Sequence, residues 1–202
     1  MGVRDERAAA TRAKLLEAAR EEFQQDGFAG ARIDRIAERS GMNKRLIYAH
    51  FGSKAELFDI VIADNVARVV DAVPFEAADL AGYAVRLHDY WVAQPTSVRL
   101  FSWRNVELGH APQFEDETYR SMIEQIERAG AAEKAGVPAA HLLALTFAVL
   151  LAWSIPAGSL DGPDSAVLEA RRRSIRLTVE RLLDGDDGPG AHREPRMVSA
   201  AV

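Results

Sequence analysis

Two short helical patterns meet at a glycine between residues 33 and 51, and this junction limits the fold more than any other part of the chain. Ile33, Ile36 and Ala37 fall at i, i+3 and i+4, so a short helix can bury one stripe. Ser40-Gly41 ends it, and Gly41 takes at little cost the positive φ that a tight helix-to-helix turn requires. Asn43 suits the N-cap of the next helix, with Met42 and Ile47 placed as a hydrophobic staple. Lys44, Arg45 and Tyr48 then project from its first turns, the turns that meet base edges when such a helix lies in a DNA major groove. Phe51-Gly52 closes it, and Ser53-Lys54-Ala55-Glu56 opens another helix as a capping box. The N-terminus of that helix favours a phosphate, and Lys54 adds positive charge. A solvated charged surface on a helical hairpin is the plainer reading. Turn, cap, staple, bases and second cap in one register favour the DNA-facing one.

The same residues resemble the tetracycline-repressor (TetR) family of bacterial one-component regulators. That family shows a first helix ending Phe-x-x-x-Gly-Phe/Tyr and, further on, Gly-Val-Ser-x-x-x-Leu-Tyr-x-His-Phe-x-x-Lys-x-x-Leu. Here the first element reads Phe23-Gln24-Gln25-Asp26-Gly27-Phe28, and the second runs from Gly41 through Tyr48-Ala49-His50-Phe51 to Lys54 and Leu57. The resemblance covers roughly residues 8 to 65. Its departures are local. Ala31 and Arg32 stand where the family has Thr or Ser to cap the second helix and touch phosphate; Ala31 cannot cap, Gly30 serves less well, and Arg32 would reach phosphate as a charge. Asn43 replaces the usual Ser. Leu46 replaces a small residue and would meet a thymine methyl. These changes bear on which operator is bound rather than on the binding mode.

The resemblance implies an all-α protein. A three-helix helix-turn-helix domain at 8–56 would be followed by a helical ligand-binding and dimerisation domain at 57–184 and a disordered tail at 185–202. It implies a transcriptional regulator that binds an inverted-repeat operator in double-stranded DNA as a homodimer, represses, and is released by a small-molecule effector. Arg32, Asn43, Lys44, Arg45, Leu46, Tyr48, His50 and Lys54 form or flank the expected DNA surface. Arg45 is the better guanine reader because its fork is bidentate. Tyr48, His50, Lys54 and Arg32 would hold phosphates. A helical interaction or carrier protein whose head no longer reads DNA is the alternative, resting on Ala31 and Leu46.

Charge supports a one-ended phosphate contact. The net charge is -5, yet residues 1–54 hold 11 Lys+Arg against 8 Asp+Glu and the remainder holds 14 against 22. A mildly basic head on an acidic body predicts modest non-specific DNA affinity. Hydrophobic residues make up 48%, enough for a packed core. No cysteine is present, which removes disulfides and thiolate metal sites and suits a reducing cytoplasm. No basic-then-apolar leader and no membrane-length apolar run is seen, so the expectation is a cytoplasmic protein without membrane contact.

Helical periodicity organises the rest. Residues 1–7 read as a frayed arm, and Thr11–Gln25 as the first helix with a Leu15–Ala19–Phe23 stripe. Thr11, Arg12 and Lys14 at its start would approach the DNA backbone or simply stay exposed. The helix capped by Ser53 reaches Val73, where Pro74 stops it. Further helices are expected over 76–93, from Pro95 to Leu108, and from Gln113 to Ala129, with a loop or short irregular helix over 130–138. Residues 139–155 are apolar nearly all round, so that helix must be covered on every side. Asp161-Gly162-Pro163-Asp164 starts a last helix reaching 183. The last two helices, 139–155 and 163–183, are the expected dimer interface, because one short recognition helix reads too few bases.

Residues 83–122 are rich in aromatic and polar groups, as a ligand pocket in a helical bundle requires. Trp91, Trp103, Tyr119 and Phe147 are candidate walls, and Arg104 and Glu107 candidate orienting groups; ordinary core packing is the competing reading for each. Enzyme signatures are missing. Glu107-Leu108-Gly109-His110 is one Glu-x-x-His step, but a di-iron bundle needs a second step and two more glutamates. No metal, cofactor or catalytic residue is expected.

Overall fold

Caps and glycines divide the chain into ten α-helices among the described residues, which are 2–107, 113–154 and 164–185 of this computed structural model; no strand occurs among them. They are α1 (Val3–Gly30), α2 (Ile33–Ser40), α3 (Lys44–Phe51), α4 (Lys54–Ala72), α5 (Leu80–Ala93), α6 (Pro95–Glu107), α7 (Gln113–Arg128), α8 (Ala131–Ala135), α9 (Ala139–Leu151) and α10 (Ser165–Asp184). Short 3-10 turns at Ala77–Asp79 and Ala152–Ser154 lead into α5 and out of α9.

Several boundaries differ from expectation. The frayed arm is helical: α1 begins at Val3, capped by Gly2, with Asp5 and Glu6 favourably placed in its first turn. Its other end passes Gln25 and runs to Gly30, bent at Gly27, whose φ of 68° and ψ of -175° are open only to glycine. The segment expected as one helix over 76–93 splits, because the Asp79 carboxylate accepts the Gly82 N–H at 2.9 Å and so caps α5 later. Of the loop or short irregular helix expected over 130–138, the structure has the helix, at 131–135, between two left-handed glycines, Gly130 and Gly136. Asp164 caps α10 through Ala166 N–H, so this helix starts two residues later than expected. The breaks expected at 109–112, 156–158 and 161–163, the end of the helix at Ile155, and the tail over 186–202 lie outside the described residues.

Two apolar cores share α4. The first joins Leu15, Ala19 and Phe23 of α1 to Ile36 of α2, Ile47 and Phe51 of α3, and Leu57, Phe58, Val61, Ile62 and Val66 of α4. The second begins at Val69 and Val73 and takes in α5, α7, α8, α9 and α10. Phe23, Phe28 and Phe58 cluster at the end of the first core, Phe23 edge-on to Phe58 at 4.8 Å between ring centroids and Phe28 tilted against it at 5.3 Å. The Gly27 bend turns the chain so that Phe28 reaches this cluster.

Head and body are joined along α1 and α6. Leu100 of α6 is fully buried in the head core. Trp103 lies so close to Gly27 that a Cβ there would sit 2.8 Å from its ring. Ala29 N–H donates to the Glu107 carboxylate at 2.9 Å. One chain does not cover α9 on every side, as its sequence demanded: Ala140, Ala144, Leu145 and Ala148 are exposed, as is Leu177 on α10.

A buried carboxylate holds the head together. Glu22 of α1 has no exposed surface, and its Oε1 accepts Arg32 N–H at 2.9 Å and Arg35 Nε at 2.5 Å, with Arg39 Nε 3.5 Å from Oε2. It therefore supplies the acceptor that Ala31 and Arg32 lack at the start of α2, where Arg32 makes no side-chain cap. Replacing Glu22 by Ala is expected to lower unfolding free energy by about 2–3 kcal/mol, since a backbone N–H and two guanidinium groups lose a shared charged acceptor. Urea titration followed by far-UV circular dichroism measures this; an unchanged midpoint would remove Glu22 from its structural role.

Candidate nucleic-acid interface and body pocket

Asn43 and Gly41 set the helix that carries the candidate DNA-facing side chains. Gly41 adopts φ 68° and ψ 21°, and its N–H closes the last turn of α2. Asn43 Oδ1 then accepts Leu46 N–H at 2.9 Å, satisfying a donor at the start of α3. Ile47 and Phe51 point α3 into the head core, and Met42 packs against the same core, as the staple predicts. The opposite face is open: Lys44 and Arg45 are exposed and Tyr48 retains half its surface.

The eight candidate residues fall into different states. Arg45 and Arg32 are exposed and, among the described residues, make no ion pair. Lys44 is paired across the turn with Asp34 of α2. Leu46 is half-buried against the core, which shortens its reach towards a base. His50 is half-buried beside Phe51. Lys54 lies 4.8 Å above the Phe28 ring and 3.5 Å from the Ala29 carbonyl, so its charge also ties α4 to the end of α1. Arg12 lies 5.2 Å over the Phe51 ring, bringing the start of α1 alongside α3.

The Ser53 box is formed in full. Ser53 Oγ accepts Glu56 N–H at 3.1 Å and Glu56 Oε2 accepts Ser53 N–H at 2.7 Å. The Ser53 hydroxyl and backbone hold the Glu56 carboxyl below the usual carboxylate range. A carboxylate thus already occupies the N-terminus of α4, the place at which sequence reasoning put a phosphate.

Four of the six pocket candidates come together. Trp91, Arg104, Tyr119 and Phe147 line a half-open cavity of about 360 Å³ between α4, α5, α6, α7 and α9, with mainly apolar walls. Tyr119 and Phe147 rings are 5.8 Å apart. Tyr83 contributes a buried wall, and desolvation pushes its phenol up to about 12, so it stays neutral. Trp103 lies outside this cavity, on the head–body seam. Glu107 is engaged by Ala29 N–H and does not line it. His110, the other half of the Glu-x-x-His step, is outside the described residues; among those described, no group of three metal-ligating side chains occurs, and no helix is long and apolar enough to cross a membrane.

Sequence reasoning missed Glu22, Asp34, Arg35 and Arg39. A signal existed for Glu22: it follows Leu15, Ala18 and Ala19 on the buried stripe, where a carboxylate must be paired. Arg35 also reaches Asp26 at 2.6 Å, and Arg39 reaches Gln25 at 2.6 Å. Much of the head's positive charge is consequently spent within the head.

A helix-turn-helix head with an open basic face, carried on an all-helical body, defines a class of DNA-binding regulators. Residues 15–61 match the bacterial regulatory protein tetR family model, and residues 79–181 match the tetracyclin repressor-like C-terminal domain. The HTH-type transcriptional repressor SCO4008 of Streptomyces coelicolor is 34% identical over 194 residues, covering 91% of this chain and 100% of that protein. The repressor NicS of Pseudomonas putida is 36% identical over 115 residues, 54% of each chain. The crystal structure of SCO4942 from Streptomyces coelicolor superposes with a TM-score of 0.69 at 30% identity, over 85% of this chain and 97% of that one. The chain belongs to the tetR family of bacterial regulatory proteins.

Loss of the Asn43 cap is expected to cost about 1 kcal/mol, because Leu46 N–H then keeps only its 3.1 Å bond to the Asn43 backbone carbonyl and loses the side-chain acceptor. Comparing Asn43→Ala with Asn43→Ser by thermal unfolding tests this; serine should recover most of the loss, and equal instability of the two would show that the cap is not the cause.

Proposed function

We propose that the chain is a homodimeric repressor whose α3 helices read the two halves of an inverted-repeat operator, and that a small molecule in the body cavity releases it from DNA. The open face of α3, with Arg45 unpaired on a helix pinned by Asn43, Ile47 and Phe51, carries this reading. Repression is the activity named for the relatives SCO4008 and NicS.

Arg45 takes the base-reading role, its planar fork matching guanine O6 and N7. Lys44 joins it by exchanging Asp34 for DNA. Arg32, Tyr48, His50 and Lys54 hold phosphates and fix the register, with Asn43 and Leu46 flanking. Dimerisation buries the uncovered apolar side of α9 together with α10, and two-fold symmetry then sets the half-sites about 34–36 Å apart. The domains fall at 8–56 and 57–184 in this reading. The cavity lined by Trp91, Arg104, Tyr119 and Phe147 takes the effector, which shifts the equilibrium only by its preference for the DNA-free pose.

Selection of bound fragments from randomised DNA by purified protein tests the reading. An enriched inverted repeat supports it; no enrichment from a folded dimer, with or without metabolite extract, would sink it. Arg45→Ala should lose discrimination at one base position per half-site, about 1–3 kcal/mol, and bind other sequences nearly as before. Asp34→Asn should free Lys44, tighten binding and steepen the salt dependence by about one ion per half-site; unchanged salt dependence would mean the Asp34 pairing has no bearing on DNA. Leu145→Asp should give monomers in sedimentation with unchanged helicity, because Leu145 has no cover within one chain; persistence of dimers would exclude this face.

A further inference from the structure

Two further cavities lie on the seam between head and body, and nothing in the reading above uses them. The larger, of about 610 Å³, is walled in part by Trp91, Trp103 and Trp153. The smaller, of about 230 Å³, is half-open and lies between α1, α4 and the turn from α5 into α6. All eight side chains that line the smaller one are polar, and none of them lines the body cavity or the larger seam cavity.

Two guanidinium groups meet at this cleft. Arg20 of α1 pairs with Glu17, and Arg68 of α4 donates from Nε to the Asp64 carboxylate at 2.7 Å. Asp64 stands 3.9 Å from Arg20 Nε, so it faces both arginines but bonds to one. Neither Glu17 nor Asp64 lines the cleft, which leaves its charged wall cationic. Burial lowers the Arg20 pKa, and the charge of Arg68 lowers it further, against the pull of Asp64, Glu21 and Tyr90. Arg20 Nη1 and both Nη atoms of Arg68 make no hydrogen bond among the described residues. Asn65, only 3% exposed, adds an acceptor. Its Nδ2 donates to the Ser97 carbonyl at 3.3 Å, which fixes the amide orientation. Its Oδ1 has no partner among the described residues, and unlike Ser97 Oγ and Arg20 Nε it is not sealed off; the cavity beside Asn65 is this cleft. A buried acceptor calls for a donor. Thr96 lies behind Pro95 in the first turn of α6, where N–H groups have no intrahelical carbonyl.

We infer that this cleft binds a phosphate group, carried by inorganic phosphate or by a small hydroxylated phosphate monoester: its oxygens accept from Arg20, Arg68 and Thr96, and a ligand hydroxyl donates to Asn65 Oδ1. Two guanidinium groups beside helix N–H groups are the donor set that a compact oxyanion requires. The volume lies below the roughly 300–1,000 Å³ of drug-sized sites, so the ligand is small. Sulfate has the same shape and acceptors but no proton to give Asn65. Arg20 belongs to the head's α1 and Thr96 to the body, so a bound phosphate bridges the two. Binding at this site stands independently of whether the head reads DNA.

Isothermal titration of the full chain at pH 6.5 and fixed ionic strength, without DNA, tests the site with inorganic phosphate, glycerol 3-phosphate and sulfate. At least one of the two phosphates should bind, and sulfate should bind about tenfold more weakly than it. Tighter binding of the free anion assigns inorganic phosphate, and tighter binding of the ester assigns a monoester; either supports the cleft. Arg68→Gln should weaken binding about tenfold. Thr96→Glu places a carboxylate at the cleft, in a first turn of α6 that favours acidic residues, and should abolish binding. Val106→Glu adds the same charge at an exposed position that does not line the cleft, and should leave binding intact. Circular dichroism confirms that each variant is folded. Neither heat nor a rise in Tm with either phosphate overturns the proposal. Sulfate binding as tightly as phosphate overturns the donor to Asn65. Unchanged binding in Arg68→Gln and Thr96→Glu, or equal loss in Val106→Glu, overturns the location.

Discussion

The buried carboxylate of Glu22 is the interaction on which the head depends. Two short helices cannot hold an angle to α1 by apolar contact alone, because α2 offers only Ile33, Ile36 and Ala37 to the core. Glu22 adds directional bonds from the backbone of Arg32 and the side chain of Arg35, with Arg39 in ionic contact. An isolated carboxylate in such a place would be costly; paired with guanidinium groups and a backbone N–H it becomes specific. The pose of α3, one tight turn later, inherits that orientation.

Arginines spent on this clamp cannot also contact DNA. The head's nominal excess of positive charge therefore overstates what faces solvent, and the open contribution narrows to Arg45, Arg32 and the start of α1. Lys44 and Lys54 are intermediate, engaged with Asp34 and with Phe28 and Ala29 but at the surface. In the proposed reading, readout concentrated in few side chains would make operator contacts sensitive to small changes in head orientation, and that orientation is tied to the body through Leu100, Trp103 and Glu107.

The seam links the two cores mechanically. α4 supplies both, and α6 places Leu100 in the head core while Trp103 closes on Gly27. Packed interiors transmit displacement because they have few voids to absorb it. A body that changes shape on one side of α6 thus has a direct route to α1 that does not pass through α4.

The helices, their caps and the turn at Gly41 were legible in the sequence because each depends on neighbours within a few residues: Asn43 with Leu46, Ser53 with Glu56, Met42 with the core beside Ile47. The family pattern from Phe23 to Leu57 was legible for the same reason, and Gly27 shows why its glycine is there. The N-terminal extent of α1 was not, and for α8 the sequence left loop and short helix open, since these local signals are weak and packing or fraying decides them. The pocket was read in part. Trp91, Arg104, Tyr119 and Phe147 converge, while Trp103 and Glu107 turn to the head, because residues on one helix face diverge by rotation, and only the placement of α1 decides which side each serves. What the sequence by itself determined is local order and the helix-turn-helix whose second helix is the candidate DNA-facing one. What only the tertiary structure decided is which charges are free, through Glu22 and Asp34, and how the aromatic residues divide between two cavities, because both depend on partners from ten to about eighty residues away in the chain.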